Sequence, residues 1–176
     1  YVNLSGANFE GAVVRGAQFS YEYISVGKLT LPQLYSTASY QAGDLSGIYF
    51  QGLDFDGANF AGQNLSNASL NGTLTNADFR NSNLTGASVG SALTGADFTG
   101  AEVRGATLSG ITRAQLYSTA SYQAHDLTGV SLRGNNLIGW NLVGQNLTNA
   151  DISYSNLASA NFNSATLSGV NLTQSY

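Results

Sequence analysis

At 176 residues with 43 % hydrophobic content, the chain is long enough for one domain with a sizeable core. Only 9 % of residues are charged, and ten acidic against six basic side chains leave a net charge of −4, mild and of the wrong sign for general affinity to nucleic acid. Cysteine is absent, which excludes disulfides, thiolate metal sites and thiol catalysis while leaving the compartment open.

The chain opens Tyr1-Val2-Asn3 without methionine, as expected of a processed protein or of part of a longer one. A large apolar residue then recurs at every fifth position: Leu4, Phe9, Val14 and Phe19. A small residue stands two before it at Ala7, Ala12 and Ala17, and glycine stands two after it at Gly6, Gly11 and Gly16. The rhythm returns at Leu45, Phe50, Phe55, Phe60, Leu65 and Leu70, then at Leu74, Phe79, Leu84 and Val89, and again at Leu93, Phe98, Val103 and Leu108. From Leu127 it runs unbroken in fives to Leu172. The steps Leu70 to Leu74 and Val89 to Leu93 are one residue short, and their spacing sets both deletions at one corner of successive turns.

A period of five fits neither a helix nor a long strand. Within each unit the small and the large residue are two apart, so a short extended segment points both inward. The remaining Gly, Ser, Thr and Asn have turn chemistry. The chain is therefore expected to wind in short extended steps, each ending in a corner. Phe60 is assigned to the interior and Asn59 to the outside.

Units such as Ala-Asn-Phe-Glu-Gly (7–11), Ala-Asp-Phe-Arg-Asn (77–81) and Ala-Asp-Phe-Thr-Gly (96–100) match A(D/N)LXX, and the chain resembles the pentapeptide-repeat family over nearly its whole length. The resemblance implies an all-β, right-handed quadrilateral β-helix with four units per coil. About eight coils at the ~4.8 Å strand spacing give a rod about 40 Å long, a single domain over residues 1–176. Stability is then shared between neighbouring coils.

Two insertions interrupt the rhythm, near 30–43 and 112–125, and both contain QLYSTASYQA, at 33–42 and 115–124. From Leu29 to Leu45 and from Ile111 to Leu127 there are 16 residues where three units need 15. Thr30-x-x-Gln33 and Thr112-x-x-Gln115 have the spacing of a capping box, and Pro32 falls in a first turn, so a short helix is predicted over about Leu31 to Thr37 and Arg113 to Thr119. Counting three units per insert separates the two by four coils, on the same side and roughly 19 Å apart. The inward small position beyond the inserts carries Ile48, Leu53 and Gln63, and His125, Val130, Asn135, Trp140 and Gln145, which predicts a wider interior. Tyr35, Tyr40, Tyr117 and Tyr122 are candidates to fill it, each hydroxyl bonding an amide or main-chain group. They are equally candidates for a bivalent protein-interaction face.

No catalytic, cofactor-binding or metal-ligating set is expected. His125 has no nucleophile or orienting acid at a useful spacing. Asp44, Asp54, Asp78, Asp97, Asp126 and Asp151 each precede a large apolar residue and are expected to face outward or bond corner main chain, too dispersed for paired-carboxylate chemistry or a calcium cage. Seven Asn-x-Ser/Thr triplets, from Asn3 to Asn171, read as by-products of the repeat.

The expected function is a non-catalytic structural or protein-interaction module, a rigid scaffold or spacer within a longer chain. Its partner is another protein or a second copy, met through the coil ends or the insertions, with no nucleic acid and no membrane. The alternative follows from the resemblance: some pentapeptide-repeat proteins modulate type II topoisomerases such as gyrase by presenting an acidic, DNA-like rod. Here Arg15, Arg80, Arg104 and Arg133 interrupt the acids.

Overall fold

The structure is a computed structural model and describes residues 3–20, 27–90 and 92–176; Tyr1 and Val2 of the first repeat, and Ser91 within the second short step, lie outside the described residues. Strands β1 (Gln18–Ser20), β2 (Tyr49–Asp54), β3 (Ser69–Thr73), β4 (Ser88–Val89) and β5 (Thr107–Leu108) form one parallel sheet in chain order. The pairs Phe19–Phe50, Phe50–Leu70, Leu70–Val89 and Val89–Leu108 put the large apolar residues in one column.

Single parallel bridges continue the ladder on the other sides. Asp126 pairs with Asn146 and Ser131 with Asp151, twenty residues on, whereas Asn59 pairs with Asp78 and Asn64 with Asn83, nineteen on. The ladder therefore repeats every twenty residues, the length of four five-residue units, and every nineteen where the deletions fall.

One unit shows why the sequence winds this way. Ala58 and Phe60 are fully buried while Asn59 points out. The Asn59 Oδ1 accepts from the Ala61 N–H at 3.0 Å, an Asx turn that starts the corner. Gln63 N–H then donates to the Phe60 carbonyl at 3.1 Å across Gly62, whose φ is +69°. A turn closed over a third residue with positive φ favours glycine or asparagine. Both recur at the corners, and where they meet in successive coils they stack: the Asn76 Oδ1 lies 2.3 Å from where a Cβ on Gly95 would stand.

The first short step, Leu70 to Leu74, follows from a close approach of two strands. β2 and β3 run straight through a corner with a register shift between Gln51 and Asp54, and a Cβ on Gly72 would lie 2.1 Å from the Leu53 carbonyl. Only glycine allows that approach.

The core is a single column. Phe50, Phe55, Phe60, Phe79 and Phe98 follow one another at centroid spacings of 4.8, 5.6, 5.4 and 5.0 Å, the last two pairs stacked. Towards the other end leucines replace them, and in the final coil Leu157 and Phe162 are half-buried while Leu167 and Leu172 are exposed.

Two measurements test this architecture. Phe60→Asp removes a stacked ring and buries a charge, so it should cost well over the ~3–5 kcal/mol of a Phe-to-Ala truncation, whereas Asn59→Ser should cost about 1 kcal/mol or less. Equal melting temperatures would refute the inward assignment. Ser159 and Ser164 hold φ of +58°. Changing both to Gly should raise the melting temperature, each relieving about 0.5–1 kcal/mol after the entropy cost of glycine.

Candidate functional site

Each insert lies within the ladder and runs alongside two units of the coil before, not the three that the sequence count assigned it: Gly11 and Gly16 N–H donate to the carbonyls of Ser36 and Ser46, and Gly100 and Gly105 N–H to those of Ser118 and Thr128. It folds as two short helices where the sequence predicts one. The first insert forms α1 (Leu31–Tyr35) and α2 (Ala38–Gln41), and the second forms α3 (Arg113–Ser118) and α4 (Ala120–Gln123). Both capping boxes are present. The predicted single helix stops early because Thr37 and Thr119 are extended and cap the second helix with their hydroxyls.

Six of the ten residues of the repeated decapeptide bond the main chain of a neighbouring coil. The Gln33 Nε2 donates to the carbonyls of Leu4 (2.8 Å) and Ala7 (2.9 Å) of the coil before, while its Oε1 accepts from the Thr30 N–H (2.9 Å). Gln115 does the same with Leu93, Ala96 and Thr112. Leu34 and Leu116 are fully buried. The carbonyls of Ser36 and Ser118 accept from Gly11 and Gly100, and the N–H groups of Ala38 and Ala120 donate to Ala12 and Ala101. The hydroxyls of Ser39 and Ser121 accept from the N–H of Val14 (2.9 Å) and Val103 (2.8 Å). Gln41 and Gln123 tie the two helices together through the carbonyls of Tyr35 and Tyr117, both at 2.7 Å.

The four tyrosines face the coil that follows. In an ordinary rung Asn64 N–H donates to Gly43 and the Asn64 carbonyl accepts from Leu45. At Asn59 no strand precedes it, and two hydroxyls take the strand's place. Asn59 N–H donates to the Tyr35 hydroxyl and the Tyr40 hydroxyl donates to the Asn59 carbonyl, both at 2.8 Å. At Asn141 the N–H donates to the Tyr117 hydroxyl, and the Tyr122 hydroxyl donates to the carbonyl at 2.7 Å. The rings pair at 4.5 Å and 4.3 Å, half-buried against the core.

Gln63 and Gln145, noticed in the sequence only as irregular inward residues, complete the seat: their Nε2 atoms donate to the carbonyls of Tyr40 (3.0 Å) and Tyr122 (2.9 Å). The signal was present, since both stand 22 residues after the decapeptide's second glutamine. Ile48, Leu53, Val130, Asn135 and Trp140 are also buried, as their positions predict. His125 is not. It is exposed with φ of +57°, the counterpart of Gly43, because it follows the C-cap Ala124 and ends α4, its N–H donating to the Tyr122 carbonyl at 3.0 Å, rather than standing in an extended segment.

The two inserts stand in one column of the solenoid. Tyr35 and Tyr40 meet Asn59, which pairs with Asp78 and that with Asp97; the second insert follows, then Asn141 pairs with Asn161. Beside each capping box runs a shallow groove, of about 590 Å³ along Ser5–Asn8, Lys28, Thr30 and Gln33, and of about 600 Å³ along Thr94–Phe98, Thr112, Ala114 and Gln115.

The six aspartates do bond the corners: the N–H two residues on donates to Asp44, Asp54, Asp78, Asp97, Asp126 and Asp151 at 2.9–3.2 Å. Arginines pair many of them. Arg80 lies 2.6 Å from Asp78 and 3.8 Å from Asp97, Arg104 2.9 Å from Glu102 and 3.7 Å from Asp126, and Arg15 3.2 Å from Asp44. The hydrogen bond from Arg80 holds the Asp78 carboxyl below its usual range. Among the described residues these pairs break the acidic surface into neutralised patches, unlike the continuous stripe a DNA mimic needs. No described helix is long and apolar enough to cross a membrane.

Burial pushes the Tyr122 phenol up to about 12, with the neighbouring Tyr117 adding to it. Tyr40 is raised as well, by burial and by Tyr35. A phenol that holds its proton longer when folded contributes stability that is whole below pH 10 and is lost as the pH rises through 12. Melting temperatures of the wild type should therefore fall over that window more steeply than those of Tyr122→Phe. Parallel curves would contradict the assignment.

A family profile described as pentapeptide repeats matches the chain in eight copies, over residues 44–73, 71–111, 126–163 and 153–174. No curated protein matches it significantly. Among solved structures it is similar to HetL, a pentapeptide repeat protein involved in heterocyst differentiation regulation from the cyanobacterium Nostoc sp. strain PCC 7120, with 24 % identity, 72 % of this chain and 67 % of that one covered, and a TM-score of 0.35. It is similar also to the pentapeptide repeat protein Rfr23 from the cyanobacterium Cyanothece 51142, with 20 % identity, 82 % and 92 % coverage and a TM-score of 0.33. The plasmid-mediated fluoroquinolone resistance protein QnrB1 matches with 17 % identity, 75 % and 74 % coverage and a TM-score of 0.38.

Proposed function

Because the chain belongs to the pentapeptide-repeat family, we propose that it is a non-catalytic, rod-like scaffold for other protein chains, with its two inserts as the docking face. On this reading residues 1–176 form one right-handed, four-sided solenoid of eight coils. The observation that carries the proposal is the placement of two inserts with the same ten residues in one column, four rungs or roughly 19 Å apart. Two linked weak contacts bind far more tightly than one when the geometry lets both engage, and a rigid ladder fixes that geometry.

The docking surface is the outer side of the inserts: the half-exposed rings of Tyr35, Tyr40, Tyr117 and Tyr122, with Ala42 and Ala124 exposed beside them. Tyrosine offers large contact area at low conformational cost. The partner includes a second copy of the chain.

Light scattering across concentration tests this. The mass should rise with concentration in the wild type and stay monomeric in the double variant Ala42→Glu, Ala124→Glu, with each single variant close to the double one. A monomer throughout, in wild type and variants alike, would leave the inserts with a ladder-filling role only.

A further inference from the structure

Gln63 makes a polar contact between coils that is not part of the main-chain ladder. Gln63 is 7 % exposed and its Nε2 donates to the Tyr40 carbonyl at 3.0 Å. That bond fixes the amide, because the opposite orientation sets oxygen against oxygen. The Gln63 Oε1 is left buried without a partner.

Ser82 stands on the next rung of the same column: Asn83 N–H donates to the Gln63 carbonyl at 3.0 Å, and Asn64 pairs with Asn83. Ser82 is 1 % exposed, and its Oγ is also buried without a partner. Other units fill this inward position with alanine, as at Ala58, Ala68, Ala77, Ala87 and Ala101. The residues that carry two of the buried unpaired polar atoms thus stand on adjacent rungs, which are about 4.8 Å apart. The two atoms do not bond each other.

We infer that Gln63 and Ser82 hold one internal water molecule between them. Water has the chemistry required, donating to the Gln63 Oε1 while exchanging a hydrogen bond with the Ser82 hydroxyl, and buried polar groups are regularly satisfied in this way. The water extends a polar thread from the Tyr40 carbonyl of the insert through Gln63 to Ser82. The second insert shares the orphan amide oxygen, since the Gln145 Oε1 is also buried without a partner, but it lacks the hydroxyl: Asn146 pairs with Thr166, so the rung after Gln145 carries Ala165.

Thermal melting of Ser82→Ala gives opposite signs for the two cases. With the water in place, Ser82→Ala should lower the melting temperature by roughly 2–4 °C, and the same change in a Gln63→Met background should lower it no further. A Ser82→Ala protein as stable as the wild type, or more stable, would mean that the hydroxyl is merely unsatisfied, and would overturn the site. A crystal structure provides the second readout. A water within hydrogen-bond reach of both side chains supports the inference, and well-ordered Gln63 and Ser82 with no density between them refutes it.

Discussion

Each coil offers the next a row of main-chain N–H and C=O groups parallel to the solenoid axis, and each must be met. That requirement governs the inserts more strictly than it governs ordinary repeats, because a helix turns its own N–H and C=O groups inward on itself. The decapeptide meets it with side chains. Gln33 and Ser39 bond the edge of the coil before, and Tyr35 and Tyr40 supply to Asn59 one acceptor and one donor where a strand would. Leaving such groups unmet costs about 1–3 kcal/mol apiece when buried. The identity of the ten residues at 33–42 and 115–124 thus has a physical reason, which is independent of any partner.

The same demand explains the surface. Asp and Asn precede the large apolar residue because a side-chain oxygen there accepts the N–H two residues on, and either residue serves. Charge is incidental to that role, so neutral amides suffice and the chain carries few ions. The arginine pairs on the surface are exposed and contribute little each.

The five-residue rhythm, the inward Phe60 and the helix starts at Thr30 and Thr112 were legible because each is written within a few residues. The second helices were not. Thr37 is followed three residues later by Tyr40, not Glu or Gln, so it lacks the capping-box signature, and four residues are too few to show a period. His125 was assigned inward from its place two before Leu127, a rule that holds only where the preceding residues are extended, whereas here they end a helix. The hydroxyl contacts to Asn59 span 24 and 19 residues, and pairing over such separations is visible only after the coils are stacked. The role of Gln63 depends on the same stacking.

The asparagine at the corner of one coil and the glycine above it in the next form a vertical pair. The Asn76 amide occupies the volume a side chain on Gly95 would need, and Asn67 with Gly86, Asn81 with Gly100 and Asn149 with Gly169 repeat the arrangement. Neighbouring turns are therefore not interchangeable parts. Shuffling, duplicating or deleting a coil, whether by recombination or by design, succeeds only if the junction sets a glycine above each corner asparagine. Compatibility in this molecule is inherited between residues about twenty positions apart, and the units to be conserved together are columns.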